Sequence, residues 1–193
     1  SAARRSPASF YHYFESKEAL LDALIERLAA QFVVEAEAIL DNPELDALAR
    51  LNAFLAQGRQ WKIERAPMLR AILEAVLKTE NAALYQRMLT ATARVIAPVL
   101  TRLVEEGVRG RVFDAPAPGL VAEVIIKLGE TRQAVIVETF AEAERGDLEG
   151  AARRLEARLA DETAMIERLL GVAPGAVNMV EPGFVRAMLQ AMC

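Results

Sequence analysis

The chain has little of the chemistry that catalytic and metal sites require. Its 193 residues include one histidine and one cysteine, His12 and Cys193, near opposite ends of the sequence. These two side chains cannot make the usual zinc or di-iron ligand sets, and they supply no nucleophile–base–acid set. No glycine-rich phosphate loop with its Lys-Ser/Thr ending is present. We therefore predict no enzyme, no metal site and no cofactor; acidic pairs such as Glu105-Glu106 are better explained as solvated helix faces.

Long apolar runs are also missing. No run approaches the roughly 20 apolar residues of a membrane-spanning helix, so we expect no membrane association. A single cysteine excludes a disulfide within one chain, and the first residues lack the apolar core of a signal peptide. We therefore expect a cytoplasmic protein. The formal net charge of −4 argues against binding nucleic acid over the whole surface but allows a local basic site.

Strand patterns are absent, whereas apolar residues recur at three- and four-residue steps through most of the chain. Hydrophobic residues make up 53% of the sequence, enough for a sizeable core. We predict an all-α fold in which Pro98 kinks or restarts a helix and in which Ala134–Val137, although β-branched in part, is helical. The predicted helices span about 16–40, 43–64, 68–78, 82–106, 118–144, 147–170 and 182–192.

The most informative stretch is Ser6–Leu21, Ser-Pro-Ala-Ser-Phe-Tyr-His-Tyr-Phe-Glu-Ser-Lys-Glu-Ala-Leu-Leu. Ser6 and Pro7 suit the N-cap and first position of a short aromatic helix, and Ser16 suits the N-cap of a much longer one. Helix N-termini and the side chains of Ser, Tyr and Lys are common contacts to phosphate. The stretch is thus compatible with a nucleic-acid backbone.

This stretch resembles the end of the helix-turn-helix domain of TetR (tetracycline-repressor-like) regulators. The family pattern runs roughly Ser-x-Gly-Thr-Leu-Tyr-x-His/Tyr-Phe-x-Ser-Lys-Glu-x-Leu-Leu, with Ser9 here for Thr and Phe10 for Leu. A second, weaker resemblance is Gly107–Phe113, a glycine-containing junction after a long helix. The identical positions of the first stretch are Ser6, Tyr11, Tyr13, Phe14, Ser16, Lys17, Glu18, Leu20 and Leu21.

The resemblance implies a homodimeric transcriptional regulator, most simply a repressor, that binds operator DNA and responds to a small effector. It implies residues 1–40 as the end of the DNA-binding domain with its connecting helix, and residues 41–193 as an effector-binding and dimerisation domain. Lys17 and the phenols would bind phosphate, and Pro7 and Ala8 would meet base edges. The implied DNA contacts are Arg4, Arg5, Ser6, Pro7, Ala8, Ser9, Tyr11, His12, Tyr13 and Lys17.

The resemblance departs from the family at the start of the sequence. Two further helices precede this stretch in the family, whereas only Ser1–Arg5 stand there. Arg4 and Arg5 also replace a glycine and a small apolar residue. The alternative hypothesis is therefore a dimeric protein that binds a small molecule and does not bind DNA.

The same resemblance implies an effector pocket in the middle helices, for a small hydrophobic or amphipathic molecule. A large apolar cavity with a few polar groups is typical of such sites, although Met and aromatic positions of this kind are also typical of ordinary core. The candidate residues are Phe54, Gln57, Trp61, Met68, Leu69, Ile72, Tyr85, Met88 and Leu89.

A heptad-like spacing in the last long helix suggests a dimer interface formed with the preceding helix. Within one domain the same repeat could also pack inward. The candidate interface residues are Val121, Val124, Ile125, Leu128, Leu148, Ala152, Leu155, Leu159 and Ile166.

Overall fold

The computed structural model describes residues 16–77 and 81–192, apart from the side chains of Lys17 and Ala82. Within these ranges the chain forms α-helices and no strand, which confirms the predicted all-α fold. The described helices are α1 (Lys17–Leu40), α2 (Ala47–Glu64), α3 (Ala66–Val76), α4 (Ala82–Arg109), α5 (Pro118–Glu130), α6 (Gln133–Glu144), α7 (Leu148–Leu170) and α8 (Phe184–Met192).

At two helices a hydrogen bond from a short polar side chain determines where the helix begins. Ser16 caps α1 as predicted, and its hydroxyl accepts a hydrogen bond from the amide of Ala19 at 3.1 Å. The predicted start of α2 at Pro43 is wrong. The Asn42 side chain instead accepts from the amide of Glu44 at 2.9 Å, which makes a local turn. Asp46 is the N-cap, so α2 begins at Ala47.

The predicted single helix over 118–144 is also wrong, because the chain breaks between α5 and α6. At the break the Thr131 hydroxyl donates to the carbonyl of Leu128 at 2.7 Å. The side chain of the next residue, Arg132, forms an ion pair with Glu162 of α7. We call this junction, Thr131–Arg132, the α5–α6 corner. By contrast, Pro98 does not end a helix, since α4 continues on both sides of it.

The helices that surround the interior form a closed ring of neighbours. α4 packs on α2 and α5, α5 packs on α7, and α8 joins α7 to α2. α1 lies outside this ring along α4 and α2, α3 contacts α8, and α6 packs along α7. The order of the ring places side chains of α2, α4 and α7 around a common interior, although their sequence separations are large.

Three apolar clusters hold these helices together. The first joins α1, α2, α4, α5 and the end of α7 and includes Phe54 and Leu103. The second joins α6, α7 and α8 around Leu155 and Leu189. The third joins α1, α3 and α4 around Ile25 and Tyr85. Non-directional burial of apolar surface therefore accounts for the packing of every described helix.

Polar side chains of α2 and α7 hold the irregular segment 171–183 in place. The Asn52 amide donates to the carbonyl of Ala176 and accepts from the amide of Asn178, both at 2.8 Å. The buried carboxylate of Glu167 accepts from the amide of Val177 at 3.0 Å. Backbone groups that no helix satisfies thus obtain partners from side chains, as a buried irregular segment requires.

The end of α4 depends on a close approach between Gly107 and Phe113. A Cβ atom at Gly107 would lie 2.0 Å from Cδ2 of the buried Phe113 ring. The carbonyl of Gly107 also accepts from the amides of Val112 and Phe113, at 2.8 and 3.1 Å. The ring therefore occupies the place of a side chain at position 107.

We expect Gly107→Ala to destabilise the protein by about 1–3 kcal/mol, the range for overpacking a filled site. Chemical denaturation with urea measures this change. Gly119→Ala is the matched control, because a Cβ there meets nothing within 4 Å; alanine should be neutral or slightly stabilising in that helix. Equal stability of the two variants would contradict the packing argument.

Candidate ligand-binding site

The described residues do not include most of the implied DNA contacts. Lys17 begins α1 directly after its cap Ser16, so the register of the motif continues into the structure. The side chain of Lys17 itself is not described. The contacts that lie outside the described residues are Arg4, Arg5, Ser6, Pro7, Ala8, Ser9, Tyr11, His12 and Tyr13.

The residues predicted to line the effector pocket are divided between different surroundings. Phe54 belongs to the first apolar cluster. Gln57 and Leu69 are half-buried, and Trp61 is buried. The other five predicted residues belong to the third cluster, between α1, α3 and α4; they are Met68, Ile72, Tyr85, Met88 and Leu89.

Trp61 is near the end of α2 and packs against α1. Its ring meets Phe32 edge-on, with centroids 5.9 Å apart, and the Arg65 guanidinium lies 4.7 Å from the indole centroid. The indole Nε1 is buried and has no hydrogen-bond partner in the described part of the chain. Leaving such a donor unpaired costs about 1–3 kcal/mol, so this atom is a candidate contact for a ligand or water.

A carboxylate shared by two arginines is the most buried ionic group of the site. Glu162 of α7 is 2% exposed. Its Oε1 accepts from Nε of Arg132 at 3.1 Å and from Nε of Arg158 at 2.7 Å, and its Oε2 accepts from Nη2 of Arg132. Arg158 also donates to the Thr131 hydroxyl at 2.5 Å. These bonds fix the α5–α6 corner on α7.

Sequence reasoning missed this network, although the sequence contains a signal for it. Glu162 falls within the apolar stripe of α7 that includes Leu155, Leu159 and Ile166, all buried. A charged residue at helical spacing within a buried stripe requires a paired cation. Which of the 23 lysines and arginines supplies that cation depends on tertiary contact.

Lys62 of α2 is an exposed residue. Burial nevertheless lowers the pKa of its ammonium to about 8, and the positive charges of Arg132 and Arg59 lower it further.

Tyr85 of α4 is a second residue whose pKa the charge of Arg132 affects. It is 2% exposed, and burial raises the pKa of its phenol while the charge of Arg132 opposes that rise. Next to it, the Gln86 amide donates to the Gln133 side chain at 3.1 Å, which links α4 to the first residue of α6. Arg132 therefore lies within electrostatic reach of both α2 and α4.

Arg59 joins α2 to the segment 171–183. It is 6% exposed, its Nη1 donates to the carbonyl of Asn178 at 2.5 Å, and its Nη2 pairs with Glu181. Its Nε is buried and has no partner among the described residues. Arg59 and Lys62 are three residues apart on α2, so their side chains leave the helix on the same side.

Two clefts open beside α6, and the first of them lies at the α5–α6 corner. None of the predicted pocket residues lines either of them. The first, about 570 Å³, is lined by Glu130, Thr131, Gln133, Ala134, Val137 and Glu138. The second, about 730 Å³ between α3 and α6, is lined by Arg70, Leu73, Glu74, Leu77, Val137, Phe140, Ala141, Ala143, Glu144 and Met192.

The heptad-like residues of α7 face the interior of their own chain. Ala152, Leu155 and Leu159 are buried in the second cluster, against which Leu148 packs, and Ile166 is buried in the first. The α5 candidates belong to the first cluster as well, except for the half-buried Val124; they are Val121, Ile125 and Leu128. The repeat thus marks an inward-facing stripe, and the homodimer stays a prediction.

Among the described residues, no group of three or more His, Cys, Asp or Glu side chains could hold a metal ion. In the same part of the chain, no helix combines the length and the apolar character needed to cross a bilayer. A comparison with known protein families gives no match, and a comparison with curated proteins gives none. The function of the chain is therefore inferred from the motif and from the site itself.

We expect Arg132→Met to destabilise the protein by about 1–3 kcal/mol, because it removes two hydrogen bonds from a buried carboxylate. Urea denaturation measures the loss. The control is Arg154→Met, because the side chain of Arg154 is exposed where it pairs with Glu138 and Glu142; an exposed ion pair contributes little. An Arg132→Met variant no less stable than the control would show that Glu162 does not depend on this arginine.

We expect Lys62→Met to be more stable than the wild type at pH 7. The pKa of Lys62 falls from 10.5 to about 8 on folding, so its charge disfavours the folded state at neutral pH. Between these two values the unfolded chain binds the extra proton. Wild-type stability should therefore rise relative to the variant as pH increases through this window.

Denaturation curves at pH 7, 8, 9 and 10 measure the difference between the two proteins. Lys127→Met is the control, since Lys127 forms an exposed pair with Glu130 at 2.9 Å. A difference that stays constant from pH 7 to pH 10 would contradict the assignment of Lys62 to a desolvated position.

Proposed function

We propose that this chain is a ligand-responsive transcriptional regulator of the TetR type, a cytoplasmic repressor that binds operator DNA as a homodimer. The resemblance of Ser6–Leu21 to the end of the family's helix-turn-helix domain carries this proposal. The N-cap at Ser16 supports it, because the motif requires a helix that starts at this serine. α1 then corresponds to the helix that connects the DNA-binding domain to the body.

The contacts of α1 supply a route from a ligand to the DNA-binding end. Arg87 of α4 pairs with Asp22 at 2.5 Å, and Arg94 of α4 pairs with Glu26 at 2.8 Å. Arg65, at the end of α2, pairs with Glu35 at 2.6 Å. α1 thus contacts the two helices that carry Lys62 and Tyr85. A ligand that displaces α2 or α4 would tilt α1, and operator affinity and ligand affinity would then be coupled.

Selection from random duplex DNA at low salt tests DNA binding directly. We expect a palindromic sequence to be enriched, because two-fold symmetry in a dimer is matched by symmetry in its site. Lys17→Gln should weaken binding to all sequences and reduce the salt dependence by about one phosphate contact. Arg145→Gln, in the turn after α6, is the control and should change neither quantity.

Failure to enrich any sequence at low salt would overturn the proposed DNA-binding function, because the electrostatic part of DNA binding is strongest at low salt. If the same preparation still binds a small molecule, the chain is a small-molecule-binding helical protein without DNA activity. Sedimentation of the same sample measures whether it is a dimer.

A further inference from the structure

The larger of the two clefts beside α6 lies between two separate apolar clusters. On its α3 wall, Leu73 and Leu77 pack against the third cluster. On its α6 wall, Ala143 belongs to the second cluster, and Phe140 packs against that cluster. We call this space the α3–α6 cleft. Side chains of both clusters therefore line one space that no described residue fills.

The α3–α6 cleft has the size and lining of a site for a small organic molecule. Its volume of about 730 Å³ is within the range of roughly 300–1,000 Å³ that is typical of such sites. Its walls run from position 70 to 77 on α3 and from 137 to 144 on α6, which is about two helical turns on each side. The large apolar side chains of the lining are Leu73, Leu77, Val137, Phe140 and Met192.

The charged groups of the lining favour a cation. They are Arg70, Glu74 and Glu144. Arg70 and Glu74 pair at 2.5 Å, so their charges offset each other. Glu144 forms no hydrogen bond or ion pair in the described part of the chain, and Arg145, which follows it, does not line the cleft. One negative charge therefore remains at the cleft.

The position of Glu144 in its helix adds to this preference. It is the last residue of α6, and the C-terminal end of a helix carries partial negative charge from its carbonyl groups. The carboxylate and the helix end therefore favour a positive charge at the same end of the cleft. Val137, one wall residue of α6, is 40% exposed, so apolar surface is open to the rest of such a ligand.

A ligand in the cleft would also touch the packing of α1. Leu73 and Leu77 pack against the third cluster, in which Ile25 of α1 is buried. A ligand that displaced α3 would therefore change the contacts of α1, the helix nearest the N-terminal motif.

We propose that the α3–α6 cleft binds a small organic cation with an apolar body, an alkyl or aryl ammonium, whose charged group lies at Glu144. The apolar body lies between Leu73 and Phe140. This site rests on the proposed function only in making the cation the effector of the regulator. Binding itself is tested without DNA.

The first experiment titrates the full chain with three ligands that share an octyl chain, using calorimetry. They are octyltrimethylammonium, octanol and octanoate. We expect the cation to bind more tightly than the anion. Glu144→Gln should weaken binding of the cation about fivefold, the scale of an ion pair at a partly exposed position, and leave octanol within about twofold.

Glu105→Gln is the matched control, because the chain has a net negative charge that attracts any cation. Glu105 is an exposed glutamate of α4 that does not line the cleft, and its loss should change the affinity for none of the three ligands. Absence of octyltrimethylammonium binding would overturn the proposal, as would octanoate that binds as tightly as the cation. An equal effect of the two glutamine substitutions on the cation would overturn it as well.

The second experiment locates the ligand. In protein labelled at its methionine methyl groups, octyltrimethylammonium should shift the NMR signal of Met192 in the cleft. The signal of Met165, which is 48% exposed on α7, should not move. Met192→Leu assigns the first signal. An unshifted Met192 signal at saturation would place the ligand elsewhere and overturn the site.

A third measurement fills the cleft. Val137→Trp should weaken binding of octyltrimethylammonium and octanol at least about tenfold, and urea denaturation checks that the variant is folded. Leu120→Trp, at a position 60% exposed on α5, is the control and should bind as the wild type does. Unchanged binding in a folded Val137→Trp variant would overturn the site.

The outcomes for the site and for the regulator are separate. Cation binding with no enrichment of DNA would remove the regulator and leave the site. Enrichment of a palindrome without the Glu144→Gln effect would remove only the site. Operator affinity that stays the same at saturating octyltrimethylammonium would overturn the effector role of the cation.

Discussion

The buried carboxylate of Glu162 is the constraint on which the arrangement of the site depends. A carboxylate inside a helical body requires cations, and Arg158 on the same helix supplies one of them at 2.7 Å. The second comes from Arg132, which is in reach only because the chain breaks between α5 and α6. The corner thus places the Arg132 guanidinium beside Glu162, and its positive charge lowers the pKa of Lys62 and opposes the raised pKa of Tyr85.

α1 is the helix nearest the N-terminal end of the described residues. It packs along α4 and α2, and it forms ion pairs with Arg87 of α4 and with Arg65 at the end of α2.

Sequence patterns predicted the helices well where the signal was local. The cap at Ser16 and the helix end at Leu40 follow from residues within a few positions of each boundary. The start of α2 was placed too early because Asn42-Pro43 resembles a cap, whereas Asn42 uses its side chain for a turn. The α5–α6 corner has no such local signal, since the residue that draws Arg132 away is thirty positions later in the chain. For the site, the family resemblance implied Tyr85 and Trp61 as pocket residues, and both are buried; no sequence pattern pointed to Arg59, Lys62 or Arg132.

The sequence by itself determined the fold class, the helix faces that must be buried and the motif at the start of the chain. Each of these is a property of neighbouring residues: hydrogen bonding is local within a helix, and periodicity records which side is apolar. Only the tertiary structure decided that the repeated leucines of α7 pack inside their own chain and that Arg132 pairs with Glu162, thirty positions later. Electrostatic interaction depends on distance in space, and that distance exists only after the helices have packed.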